Sequence, residues 1–167
     1  MFCACLKNFP RQISTLAIAA TAVMLMLLTP ATSQAQRSKG GDAGDDTHPA
    51  FSDFKGVRIG TTADDARKKL GTPRDKSAEQ DFYMLTDNEA VQVFYDKSGA
   101  VNAISIDYLS GGTGVPTCRD VLGSDAEPKA DGSIYKMIRY LKAGYWVSYS
   151  RTAGTEPTIT VTMQKIQ

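Results

Sequence analysis

The sequence contains a single histidine, His48, which lies in a stretch rich in glycine and aspartate. Mechanisms that pair histidine with serine or cysteine, and metal sites built from several histidines, all need an imidazole inside a folded site. The sequence therefore predicts no catalytic residues, no metal site and no cofactor. We expect a protein that is not an enzyme.

Cysteine is also scarce. Cys3 and Cys5 lie close to the amino terminus, within the segment that we interpret below as a signal peptide, and only Cys118 lies further along the chain. A single cysteine cannot form an internal disulfide, and no cysteine stands at the predicted cleavage junction, so we expect no lipid anchor. Cys118 occupies the same place in an internal repeat as Ala66, which predicts a packed side chain rather than a reactive thiol.

An excess of charge of one sign is missing. The chain has 19 basic and 18 acidic residues, and removal of the signal peptide would leave 17 basic and 18 acidic residues, because Lys7 and Arg11 would leave with it. Binding to nucleic acid relies on a marked basic surplus. The composition therefore argues against nucleic acid as a partner.

The first residues have the three parts of a secretion signal. Lys7 and Arg11 precede an apolar stretch over residues 13–28, and small residues lead to Ala35. This stretch has 16 residues, whereas a membrane-spanning helix needs about 20. The pattern predicts a signal peptide over residues 1–35 and export to the periplasm or the extracellular space, with or without association with the outer membrane. An uncleaved membrane anchor is the alternative.

Residues 36–50 contain no large apolar side chain and are dense in glycine and aspartate. Such a segment cannot bury enough surface to offset the entropy lost on ordering. We therefore predict a disordered leader over residues 36–50 and a folded part that starts at Phe51.

The folded part repeats itself. Arg67, Leu70 and Gly71 recur 52 residues later, and Tyr83 recurs at the same offset. The recurring partners are Arg119, Leu122, Gly123 and Tyr135. The pattern predicts two α+β repeats, at residues 51–110 and 111–167.

Each repeat opens with a short helix. Thr62 is a suitable cap for the first helix and Gly71 a suitable end. Pro116 suits the first position of the second helix, which Gly123 would end. Three strands follow in each copy, at residues 81–85, 90–95 and 101–108, and at 133–141, 145–150 and 158–165. Their short connections favour antiparallel meanders. We predict an α+β fold in which two tandem units, each a helix plus a three-stranded antiparallel meander, form one sheet with the helices on one face.

Alternation along the strands separates two faces. The apolar set should pack against the helices, whereas Phe94 and Trp146 recur at matched positions among polar neighbours. Large aromatic side chains rimmed by polar groups are typical of binding surfaces, so we predict that both bind protein. A second small core beneath the leader or the linker is the alternative. The predicted main core comprises Val57, Ile59, Ala66, Leu70, Val93, Tyr95, Cys118, Leu122, Val147 and Tyr149.

The stretch Phe-Lys-Gly-Val-Arg-Ile-Gly-Thr-Thr at 54–62, continuing through Asp65 and Leu70 to Gly-Thr-Pro at 71–73, resembles the opening of the SmpA/OmlA (BamE-like) domain. The resemblance covers residues 54–108, and the tandem copy is similar to the β-lactamase inhibitor protein-like fold. It implies a non-catalytic cell-envelope module that binds another protein, as in outer-membrane assembly. The alternative is that the chain is a secreted protein inhibitor that binds an enzyme through its sheet face. The sequence departs from the lipoproteins of this family in having no lipid-acceptor cysteine and two copies of the domain.

Overall fold

The computed structural model describes residues 49–110 and 112–167. The predicted signal peptide and residues 36–48 of the predicted leader lie outside the described residues, as does Gly111. Within the described part of the chain, no helix is long and apolar enough to cross a membrane. The elements described are α1 (Ala63–Leu70), β1 (Asp75–Lys76), β2 (Gln80–Thr86), β3 (Glu89–Tyr95), β4 (Val101–Tyr108), α2 (Cys118–Leu122), β5 (Ile134–Tyr140), β6 (Tyr145–Arg151) and β7 (Ile159–Lys165).

The strands form one seven-stranded sheet in the order β1-β2-β3-β4-β7-β6-β5. All its neighbouring strands run antiparallel. The prediction of a mixed fold with antiparallel strands and short helices is confirmed, and the six predicted strands agree with the observed ones to within one residue at each end. The short β1, which pairs with β2, was not predicted.

The two halves of the sheet are joined in its middle by the pairing of β4 with β7, which are the last strands of the two predicted repeats. Ile104 pairs with Met163, and Ile106 with Val161. All four side chains are fully buried. The two halves of the sheet therefore share one continuous core at this junction.

Both helices begin at threonine caps and end at glycine. The Thr62 side chain accepts a hydrogen bond from the Asp65 N–H at 3.2 Å. Thr117 caps α2 in a reciprocal box with Asp120, so the prediction that Pro116 opens this helix was wrong. Thr117 supplies the side-chain acceptor that proline lacks, and the helix therefore starts after it, at Cys118.

One hydrophobic cluster lies between the helices and one face of the sheet. It includes Ala66 and Leu70 of α1, Cys118 and Leu122 of α2, and the buried side chains of β3, β4, β6 and β7. Of the predicted core, Ile59 is only partly buried, at the edge of this cluster, and the others are buried.

Candidate protein-binding face

The pairing register assigns the strand residues to two faces. Val93 pairs with Ile104 on the side of the core, and the next residue, Phe94, pairs with Ala103 on the other side. We call this second side the open face, and none of its residues belongs to the core cluster. Its three rows, read from β2 to β5, are Gln80, Phe94, Ala103, Gln164, Trp146 and Arg139; Phe82, Gln92, Ser105, Thr162, Ser148 and Met137; and Met84, Ala90, Asp107, Thr160, Ser150 and Tyr135.

Phe94 and Trp146 lie in the same row of the open face. Phe94 pairs with Ala103 and Trp146 with Gln164, and Ala103 and Gln164 pair across the β4–β7 junction. Three strand spacings separate the two aromatic residues, which corresponds to about 14 Å. Both side chains are half-buried. Their predicted position on the face opposite the core is confirmed, and their role in binding stays a prediction.

The centre of the open face is polar. The hydroxyls of Ser105 and Thr162 lie 3.1 Å apart and share a hydrogen bond across the β4–β7 junction. In the neighbouring row, the Thr160 hydroxyl donates to Asp107 Oδ1 at 2.6 Å. These bonds fix the polar side chains in the middle of the face. Phe94 and Trp146 lie in the row next to these hydrogen-bonded side chains, with Ala103 and Gln164 between them.

A surface depression of about 1200 Å³ occupies the Phe94 half of the open face. Its floor includes Phe94, Gln92 and Gln164, and the β3–β4 turn at residues 96–99 lines one side. Trp146 does not line it. The structure thus places Phe94 in a concave setting lined by polar and apolar groups, and Trp146 on a separate part of the same face.

A buried carboxylate on the other face was missed by the sequence analysis. Asp81 is fully buried among the core side chains. Arg67 Nε donates to Asp81 Oδ2 at 2.8 Å, and Arg67 Nη2 donates to Oδ1 at 3.1 Å. The hydroxyl of Tyr95 donates to Oδ2 at 2.7 Å, and that of Tyr83 donates to the same oxygen at 3.3 Å. A buried charge is tolerated where such partners surround it.

These contacts set the pKa values of the group. Burial acts to raise the pKa of Asp81, but the hydrogen bonds from Arg67 and Tyr95 outweigh it and the pKa is lowered. Burial, followed by the nearby Asp81 charge, raises the pKa of Tyr83 to about 12. Burial, followed by the hydrogen bond to Asp81, raises the pKa of Tyr95. The cluster therefore holds an ionised aspartate and two neutral tyrosines at neutral pH.

The internal repeat does not extend to this cluster. Arg119 is the repeat partner of Arg67, but it pairs with Asp125 on the exposed surface after α2. Tyr83 is buried, whereas its repeat partner Tyr135 is 53% exposed on the open face. Tyr83 pairs with the core residue Val91, whereas Tyr135 pairs with Ser150 of the open face, so the two hairpins differ in register. Matched tyrosines therefore point to opposite faces.

Cys118 is a buried free thiol in the core cluster. Burial raises the pKa of this thiol, which disfavours the reactive thiolate. Its repeat partner Ala66 is fully buried as well. The predicted packing position of Cys118 is confirmed. Among residues 49–110 and 112–167, no group of three or more histidine, cysteine, aspartate or glutamate side chains could hold a metal ion.

Comparison with known proteins found no protein-family model, no curated protein and no solved structure that matches this chain. The function must therefore be inferred from the residues and geometry of the described part of the chain.

Proposed function

We propose that this chain is a non-catalytic, exported protein of the cell envelope that binds another protein through the open face. Phe94 and Trp146 are the apolar anchors of that interaction. Aromatic residues that combine a large contact area with few rotatable bonds contribute most to many protein interfaces. The partner is an envelope protein or a secreted protein.

The observation that carries this proposal is the shared row of Phe94 and Trp146. Two half-buried aromatic side chains lie about 14 Å apart on a face that no described helix covers. Ala103 and Gln164 lie between them, and the hydrogen-bonded Ser105 and Thr162 lie in the next row. An interface of ordinary size buries about 800 Å² on each partner. A partner that buries this area on the open face would cover both aromatic residues and the polar side chains around them.

We also propose that the two halves are duplicated helix-plus-meander units. The strand order supports this, because β2-β3-β4 and β7-β6-β5 meet through their last strands. A helix lies directly before each set of strands in the chain, apart from the short β1. The resemblance of residues 54–73 to the SmpA/OmlA domain supports an envelope role and agrees with the predicted signal peptide.

The proposal can be tested by capture from an envelope extract. The tagged mature chain is compared with a Phe94→Ser/Trp146→Ser double variant, and captured proteins are identified by mass spectrometry. We expect a specific partner to bind the natural chain and to be lost with the double variant. Leu109→Ser is the matched control, since Leu109 is 39% exposed and lies outside the three rows of the open face.

The identity of the captured protein separates two functions. Components of the outer-membrane β-barrel assembly machinery would support an assembly role, and a soluble enzyme would support the inhibitor alternative. A partner captured equally well by the natural chain and by the double variant would contradict the proposed face. Amino-terminal sequencing of the chain from the envelope fraction tests export, with Gln36 or Arg37 expected as the first residue.

A further inference from the structure

The two edges of the sheet differ in length and in side chains. At one edge, β1 has only two residues, Asp75 and Lys76, and both are exposed and charged. At the other edge, β5 extends over seven residues, Ile134–Tyr140, and each of them pairs with β6. Short, charged edge strands resist further pairing, whereas long edges invite it.

The outer edge of β5 has no backbone partner among the described residues. Apart from a turn bond that the Tyr140 carbonyl accepts from the Gly144 N–H, no backbone hydrogen bond joins β5 to any described segment other than β6. In an antiparallel strand, alternate residues direct their N–H and C=O groups away from the single neighbour. The edge therefore presents a row of backbone donors and acceptors to solvent.

The side chains near this edge are unusually apolar for a surface. The described residues include five exposed large apolar side chains, and three of them, Tyr135, Met137 and Leu141, lie on β5 or the turn after it. Tyr135 and Met137 belong to the open face, where Trp146 lies on the adjacent strand. An added strand would therefore find apolar contacts as well as backbone partners.

The charge at this edge is positive. Residues 132–155 contain four basic residues and no aspartate or glutamate. Lys136 is engaged on the core side, where its ammonium donates to the Ser124 hydroxyl at 2.8 Å and to the Asp125 carbonyl at 3.1 Å. Arg139 pairs in register with Trp146 on the open face, and its side chain is exposed. Among the described residues it has no hydrogen bond or ion pair.

We propose that β5 is a docking edge for an extended acidic segment of another protein, which adds an eighth strand to the sheet and places a carboxylate beside Arg139. The opposite charge of such a segment suits the basic hairpin. A second copy of this chain would instead bring the same basic residues to the edge, and like charges on paired strands are destabilising. The edge adjoins the Trp146 anchor of the proposed function, but it binds through the backbone groups of β5, so the proposal stands whether or not the open face binds a protein.

The probe for this edge is a labelled peptide of about nine residues, which matches the usual length of a strand, in which glutamate and valine alternate. Binding to the mature chain is followed by fluorescence anisotropy, and backbone amide exchange is followed by NMR. We expect saturable binding, weakened by salt, with slowed exchange of β5 amides and not of β1 or β2 amides. A peptide with lysine in place of glutamate should bind at least about tenfold more weakly.

Two controls separate strand addition from simple charge attraction. The same acidic peptide with alternate amides methylated keeps its charge but loses one row of hydrogen-bond donors, and its binding should be lost. Arg139→Glu should weaken binding of the acidic peptide by about tenfold or more. Lys97→Glu, which makes the same charge change on the exposed β3–β4 turn, should leave binding unchanged.

Four results would overturn the proposal. The first is that the acidic peptide does not bind at concentrations up to about 1 mM, and the second is that the methylated peptide binds as tightly as the unmethylated one. The third is that Arg139→Glu and Lys97→Glu change the affinity equally. The fourth is that the free chain self-associates and its β5 amides are protected without peptide. The last result would assign the edge to a second copy.

Discussion

At the scale of single residues, Asp81 shows how this fold accommodates a charge inside its core. A carboxylate with no exposed surface is costly unless every oxygen has partners. Arg67 supplies two N–H donors in a fixed fork, and the hydroxyls of Tyr83 and Tyr95 add two more donors. The cluster ties α1 to β2 and β3. These contacts enclose the carboxylate of Asp81, and their role is to stabilise the fold.

Replacing Asp81 with asparagine should lower the free energy of unfolding by about 3 kcal/mol, because the Arg67 charge loses its buried counter-charge. Urea unfolding at neutral pH measures this. Asp64→Asn is the matched control, since Asp64 contacts the same guanidinium at 3.5 Å from an exposed position, and its loss should cost less than about 0.5 kcal/mol. Equal costs for the two variants would show that the buried contact has no special role.

The lowered pKa of Asp81 gives this prediction a pH dependence. The folded-state pKa lies below the unfolded value of 3.8, so the folded protein binds the proton less well than the unfolded chain. The stabilising effect is fully present above the unfolded pKa and is lost as the pH falls through the folded pKa. The difference in unfolding free energy between the natural chain and Asp81→Asn should therefore narrow below pH 3.8. A difference that stays constant in acid would contradict the assignment.

At the scale of elements, α2 is notable because it has only five residues. So short a helix is unstable by itself, and its cap and its packing must hold it. Thr117 and Asp120 form a reciprocal capping box, and Cys118, Val121 and Leu122 are buried against the sheet. The cap fixes where the helix starts, and the buried side chains fix which side of it faces β6.

Thr117→Ala should therefore destabilise the protein by about 1 kcal/mol, because the first turn of α2 loses its side-chain acceptor. Thermal unfolding followed by circular dichroism measures the change. Thr155→Ala provides the comparison, since Thr155 is an exposed loop residue and its loss should change stability by less than about 0.5 kcal/mol. A smaller effect at position 117 than at position 155 would show that packing alone holds α2.

The elements also show what the sequence could predict. Strand bounds follow from local signals, namely alternating side chains and turn residues such as those at 96–99, and these were predicted closely. Phe94 and Trp146 were placed on the correct face for the same reason. The different registers of the β2–β3 and β5–β6 pairs could not be predicted, because register depends on how two strands pair, and they place Tyr83 and Tyr135 on opposite faces.

At the scale of the whole molecule, the decisive contacts join residues far apart in the chain. The β4–β7 junction pairs Ile104 with Met163, and Arg67 meets Asp81 across 14 positions. Periodicity within one segment carries no information about such partners, so Asp81 gave only the weak signal of an acidic residue on an apolar strand. The shared row of Phe94 and Trp146 and the unpaired edge of β5 became visible only once the strand order was known.

The central claim is that Trp146 lies on a binding face, and it is the only tryptophan of the chain. Fluorinated tryptophan incorporated into this chain alone gives one fluorine NMR signal. The difference in its chemical shift between water and heavy water reports the solvent exposure of Trp146. The same signal can be followed while the captured partner is added. We expect a solvent-sensitive signal in the free chain that becomes insensitive and broadens in the complex. A signal that is already insensitive in the free chain, or one that the partner leaves unchanged, would contradict the claim and assign Trp146 to packing alone.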